Sequence, residues 1–221
     1  MRRMVFIFLC IAGAMLNIAI NRLCILVNVP LYLDTIMTVS VTLAGGLFWG
    51  VLCGALTNLV HHSIWFWGWE GYLFTFCNIA TAFVTWLFIR LFPRELSFDS
   101  ETREAAASMK LKSSRLNLVM GRVIVLLLLS FALCLAMSIL GGSLTALILG
   151  LNPSHSGERG LSVFLSATMF GSHLPVILAE IFSRIPINII DRLVSVFGAY
   201  GIALAIHGIL TGRSGNRQGF S

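Results

Sequence analysis

Apolar residues in this chain do not alternate with polar ones; they run in blocks of roughly twenty, the length that carries a helix across a lipid bilayer. The first block predicts a span over Met4–Leu26, followed by a short connection, Val27–Leu33, that holds Pro30. A second span is expected over Asp34–Trp49 and a third over Gly50–Trp67, joined by a very tight turn. Each is near the lower limit of about 17 residues for a helical crossing, so the two read as a close hairpin. Gly46, Gly50 and Gly54 recur every fourth residue around that turn. Either they let two backbones approach closely or they only make the turn.

A fourth span is expected over Tyr72–Phe92 and ends at Pro93. Arg94–Asn117 is the one strongly polar stretch and reads as a cytoplasmic loop or short surface helix. The fifth span runs over Leu118–Leu140, where Gly141-Gly142 is expected to break or bend it ahead of a further apolar stretch to Leu151. Asn152–Gly160 is a polar loop. Leu161–Ser183 is apolar enough to cross, yet His173, Pro175 and Glu180 lie inside it, and a last span follows over Ile187–Leu210. Taking Leu161–Ser183 as a broken outer segment gives six spans; taking it as a crossing gives seven. We adopt six: an all-α integral membrane protein, a bundle of six transmembrane helices forming one membrane domain over residues 1–221.

Composition agrees with this reading. The 221 residues are 57% hydrophobic and 11% charged, with a mean hydropathy of +0.92. A soluble globular chain would be about 25% charged, so soluble enzymes and disordered or disulfide-rich chains are excluded. Cys10, Cys24, Cys53, Cys77 and Cys134 all sit inside apolar runs and read as small buried hydrophobes. The net charge of +6 would suit a nucleic-acid partner, but its placement points elsewhere. Arg2, Arg3, Arg90, Arg94, Arg103, Lys110, Lys112, Arg115, Arg122, Arg213 and Arg217 flank spans on one side in the six-span topology, and only Arg22, Arg159, Arg184 and Arg192 fall elsewhere. That is the positive-inside bias, which sets both termini in the cytoplasm of a bacterial-type inner membrane and leaves no nucleic-acid footprint. The N-terminal run lacks a small-residue cleavage site and reads as a retained span rather than a signal peptide.

Ionisable groups are costly at membrane depth, so those present call for a role. With six spans, Asn17, Asn21 and Arg22 fall in the outer half of the first helix, and Asp34 with Thr35 opens the second. Asn58, His61 and His62 fall near the outer end of the third, followed by Trp65, Trp67, Trp69 and Glu70, with Asn78 on the fourth and Asp191-Arg192 at the start of the last. Polar groups from five helices thus meet at one outer level, as an outward-facing small-molecule pocket requires. The candidate substrate-binding residues are Asp34, Thr35, Asn58, His62, Trp65, Asn78 and Arg192. Each keeps a structural alternative. Arg22 and Arg192 could snorkel to headgroups, Asp34 could cap its helix, and the tryptophans with Tyr72 could form an interfacial belt. Asn58, His62 and Asn78 could equally be interhelical glue. Adjacent His61 and His62 point about 100° apart on a helix, a poor metal pair, and no cofactor is expected. The chain has no G-x-x-x-x-G-K-[ST], H-E-x-x-H or G-x-S-x-G, so it reads as a binding protein rather than an enzyme.

Pro30-Leu31-Tyr32-Leu33-Asp34-Thr35-Ile36-Met37-Thr38, followed by Gly45-Gly46-Leu47-Phe48-Trp49-Gly50-Val51-Leu52-Cys53-Gly54-Ala55-Leu56-Thr57-Asn58-Leu59, resembles the L-D-T-I-G-T … G-x-x-x-G-x-x-x-G-x-x-T-N pattern of S components of energy-coupling factor (ECF) transporters. Ile190-Asp191-Arg192-Leu193 is similar to the acid-plus-base start of their last helix. The resemblance implies a six-helix membrane protein that binds a vitamin or similar micronutrient from outside with high affinity, and we expect a small, partly aromatic one. It also implies partners: a transmembrane coupling protein and an ATPase pair that power uptake. Met37 stands where the family pattern has glycine, and Cys10 and Ala14 replace the A-x-x-x-A face by which many S components meet the coupling protein. A membrane sensor or receptor domain that binds a small ligand without transport is the alternative reading.

Overall fold

Side chains that an aqueous fold would bury are turned outward in this chain, and hydroxyls and amides are turned inward. The computed structural model describes residues 2–65, 69–98, 115–151 and 175–215. All its elements are helical: α1 (Arg2–Leu26), α2 (Ile36–Gly45), α3 (Leu47–Ile64), a 3-10 turn (Trp69–Phe74), α4 (Thr75–Leu91), α5 (Pro93–Leu96), α6 (Arg115–Leu151) and α7 (Val176–Gly215). On α1, Met4, Phe8, Ile11 and Met15 are exposed while Asn17 is buried; on α6, Val119, Ile124, Leu127 and Phe131 are exposed while Ser130 and Ser138 are buried. Many buried hydroxyls return to their own helix: Ser40, Thr42, Thr57, Thr85 and Ser130 each donate to the carbonyl four residues earlier, at 2.7–2.9 Å, whereas the buried Ser195 hydroxyl has no partner among the described residues. An apolar exterior over a polar, largely hydrogen-bonded interior suits lipid as the solvent. α1, α3, α4 with its leading 3-10 turn, α6 and α7 are each long and apolar enough to cross a membrane, as a multi-pass membrane protein requires.

The second expected span is corrected. α2 has ten residues, about 15 Å, half of the roughly 30 Å hydrocarbon core. Ile36 to Leu43 are all buried, so α2 is a central strut enclosed by α1, α3, α4 and α7 rather than a lipid-facing span. The hairpin turn lies at Gly46, not between Trp49 and Gly50, because Gly46 adopts φ 90°, a conformation that suits glycine. Gly50 and Gly54 serve close approach. A Cβ on Gly50 would overlap the Thr42 hydroxyl of α2, and one on Gly54 would stand 3.1 Å from both Asn78 of α4 and Thr38 of α2.

Gly141-Gly142 does not break the fifth span. α6 continues through it for 37 residues. The bare backbone at Gly142 lies against α7, where a Cβ would come within 2.8 Å of the Ile181 backbone. The last span is likewise longer than expected: α7 begins at Val176, passes through Pro186 without ending, and has 40 residues. Residues 176–183 of the expected broken segment therefore belong to α7, and the rest of Leu161–Ser183, up to residue 174, lies outside the described residues. Of the polar stretch Arg94–Asn117, residues 99–114 also lie outside them. At about 55 and 60 Å, α6 and α7 exceed a bilayer's full thickness of roughly 40–45 Å, so they must tilt or project beyond it.

Candidate functional site

α1 and α3 end at the same pole of the bundle at which α2 and α4 begin, and the body of α7 from Arg184 to Arg192 runs past it. At that pole a cavity of about 260 Å³ opens between them and α6. Its walls combine apolar Ile18, Ile25, Leu31, Phe74, Met137 and Ile187 with Asn21, Tyr32, Asp34, Thr57, Asn58, His61, His62, Asn78, Arg184, Asn188 and Arg192. That is the mix of an apolar cup with a few placed polar groups, at the small end of the roughly 300–1,000 Å³ of ligand sites.

The floor is tied together by Asn17 of α1. Its side-chain oxygen accepts the Met37 N–H (2.9 Å), and its amide nitrogen donates to the hydroxyls of Thr38 (3.3 Å) and Thr57 (3.2 Å). One side chain thereby joins α1, α2 and α3 beneath the cavity. Above it, the loop between α1 and α2 is held in shape by α7. Leu33 has φ 44°, an uncommon conformation for a non-glycine residue, and is kept there because Asp191 Oδ1 accepts both the Tyr32 N–H (2.9 Å) and the Leu33 N–H (2.8 Å). Asn21 adds a bond to the Tyr32 carbonyl at 2.7 Å.

Asp191 is wholly buried and Arg192 is 4% exposed. Arg192 Nη2 lies 2.7 Å from Asp191 Oδ2, an ion pair without hydrogen-bond alignment, because successive residues on a helix point about 100° apart. Arg192 Nη1 donates to the Thr35 hydroxyl, and Nη2 stands 3.9 Å from the Asp34 carboxylate, which is 29% exposed. The pair occupies the body of α7, about four turns from its start, where the expected last span put it at the first turn. It fastens α7 to the head of α2 and is not snorkelling to headgroups.

Of the seven candidate residues, Asp34, Asn58, His62, Asn78 and Arg192 line the cavity. Thr35 and Trp65 do not. Thr35 is the residue that opens α2, its side chain makes no cap bond, and it holds Arg192. Trp65 closes α3 and carries the Arg22 guanidinium 3.8 Å from its ring centre, a cation–π contact. Among the described residues the side chains of Asn58 and Asn78 make long bonds, each 3.4 Å, to the carbonyls of Phe74 and Gly54. They couple helices weakly while facing the cavity. His62 is 5% exposed, and Gly71 of the 3-10 turn passes so close that a Cβ there would stand 2.5 Å from Nδ1. His61 and His62 rings sit 5.2 Å apart and tilted. Among the described residues no group of three His, Cys, Asp or Glu side chains could hold a metal ion.

Sequence reasoning missed Arg184, Asn188, Met137 and Gly141. The signal was there: Arg184, Asn188 and Arg192 follow each other at four-residue spacing, which puts them on one helical face. The expected last span began only at Ile187, just after Pro186, and so left Arg184 off that face. Lipid-embedded helices tolerate proline because neighbouring groups satisfy the freed backbone. α6 braces this face through Thr145 to Arg184 (2.6 Å) and Ser138 to Asn188 (2.9 Å). Compared with protein-family models, characterised proteins and solved structures, the chain finds no match in any of the three.

Proposed function

We propose that this chain is the substrate-binding subunit of an ECF-type transporter, taking up a small, partly aromatic micronutrient across the bacterial cell membrane. The observation that carries the reading is the cavity at one pole, small and mostly apolar, with polar groups from α1, α3, α4 and α7 and from the α1–α2 loop turned into it. Support comes also from the L-D-T-I … G-x-x-x-G-x-x-x-G-x-x-T-N resemblance, whose residues form the head of α2, the Gly46 turn and the cavity side of α3. In this reading α2 with its flanking loop acts as the sixth, shortened crossing of a six-span bundle. Both termini face the cytoplasm and the cavity faces outward. The chain is not an enzyme, and energy for release inside comes from a coupling protein and an ATPase pair.

One observation favours a second reading, a sensor domain that binds without transport. Cys10 and Ala14, the small residues that could replace an A-x-x-x-A docking face, are 0% and 3% exposed, so they pack inside the bundle and offer no surface to a partner helix. Affinity purification from native membranes separates the two. Stoichiometric recovery of two ATPase subunits with the chain is expected for a transporter; saturable ligand binding by a chain that recovers no ATPase would establish the sensor.

A further inference from the structure

The two buried guanidiniums on the cavity face of α7 are supplied very differently. Arg192 is matched by Asp191 at 2.7 Å and by the Thr35 hydroxyl. Arg184, about 12 Å nearer the start of the helix, is also 4% exposed and also lines the cavity. Its bonded acceptor among the described residues is the Thr145 hydroxyl. The Glu180 carboxylate, itself buried, forms an ion pair with it at 4.0 Å from Nε, but that is beyond hydrogen-bond range, and Nε has no acceptor among those residues. Gly141 lines the same wall, and a Cβ there would come within 3.3 Å of Nη1. The missing side chain thus leaves the guanidinium uncrowded at the cavity.

A guanidinium is a planar fork of five donors that matches a carboxylate two bonds at a time. Buried with few acceptors, at the wall of a cavity whose other surfaces include Phe74, Met137 and Ile187, it calls for an acceptor from the ligand. We propose that Arg184 binds a carboxylate of the ligand, so that the substrates are small acids of one or two rings. The inference rests on the reading of the cavity as a ligand site and names the chemistry that site selects.

The test uses three skeletons, each as acid, amide and amine: benzoate, benzamide and benzylamine; nicotinate, nicotinamide and 3-picolylamine; indole-3-acetate, indole-3-acetamide and tryptamine. Binding to the purified full chain in lipid nanodiscs is followed by calorimetry. At least one acid is expected to bind, about tenfold or more tighter than its own amide, since charge-assisted bonds are roughly twice as strong as neutral ones. Arg184→Gln should abolish that acid-over-amide preference and Arg184→Lys should keep part of it. Gly141→Ala, which crowds the guanidinium without removing it, should narrow the preference even if Arg184→Gln does not fold. A merely structural Arg184 would weaken acid and amide alike. An amide or amine bound as tightly as its acid, or a preference that survives Arg184→Gln, overturns this inference and leaves the cavity reading standing. Binding by none of the nine compounds overturns this inference, and the cavity reading falls with it only if a panel of vitamins and nucleobases also shows no saturable binding.

Discussion

Asp191 and Asp34 both approach Arg192, yet burial gives them different work. Asp191 is wholly buried, accepts two backbone N–H groups and pairs with a buried guanidinium. Removing one partner of such a pair strands the other, which costs about 3–5 kcal/mol. Asp191→Ala is therefore expected to lower thermal stability strongly and to loosen the α1–α2 loop, read as a large drop in unfolding temperature in detergent. Asp34 is partly exposed to the cavity, so Asp34→Ala should leave that temperature nearly unchanged and instead weaken ligand binding by roughly ten- to a hundredfold. Equal effects of the two substitutions on both quantities would contradict this division. Much of the site was legible at this scale, because polar residues at one membrane level have few reasons to be there. Asp34, Asn58, His62, Asn78 and Arg192 do meet at the cavity. Trp65 was not legible: whether a terminal aromatic faces a pocket or a neighbouring arginine depends on Arg22, one helix away.

Glycine spacing governs how the helices pack. Gly50 admits the Thr42 hydroxyl and Ala82, so Gly50→Ala forces α2 and α3 apart and should destabilise by about 1–3 kcal/mol. Gly198, exposed on α7 with nothing within 4 Å of the point where a Cβ would stand, is the control: Gly198→Ala should be neutral or stabilise by up to about 1 kcal/mol through helix propensity. Denaturant titrations of both variants check the contrast, and equal stability would refute the packing role. The long apolar helices α1, α3 and α4 were readable to within a few residues, since hydrophobic length is what the bilayer demands. The misreadings all came from residues whose effect depends on a neighbour. Gly141-Gly142 suggests a break in isolation, but opposite Ile181 it is a contact surface. The expected last span began just after Pro186, but α7 runs through that proline. α2 had to be short because a strut buried on every side need not match the bilayer.

For the whole molecule, the six-span topology puts most basic residues at one side of the spans and so predicts that both ends of the chain face the cytoplasm. A cysteine introduced by Ser214→Cys should resist an impermeant thiol reagent in intact cells and react after permeabilisation; labelling from outside would reverse the topology. The reading of an uptake subunit stands or falls with the cavity between α1, α3, α4, α6 and α7. Its most direct test is a tryptophan-fluorescence titration of the purified chain against a panel of vitamins and nucleobases, repeated with Asn58→Ala. The account predicts saturable one-site binding of at least one compound, weakened roughly ten- to a hundredfold in a folded Asn58→Ala protein. No saturable binding across the panel, or an isotherm unchanged by Asn58→Ala, would contradict it.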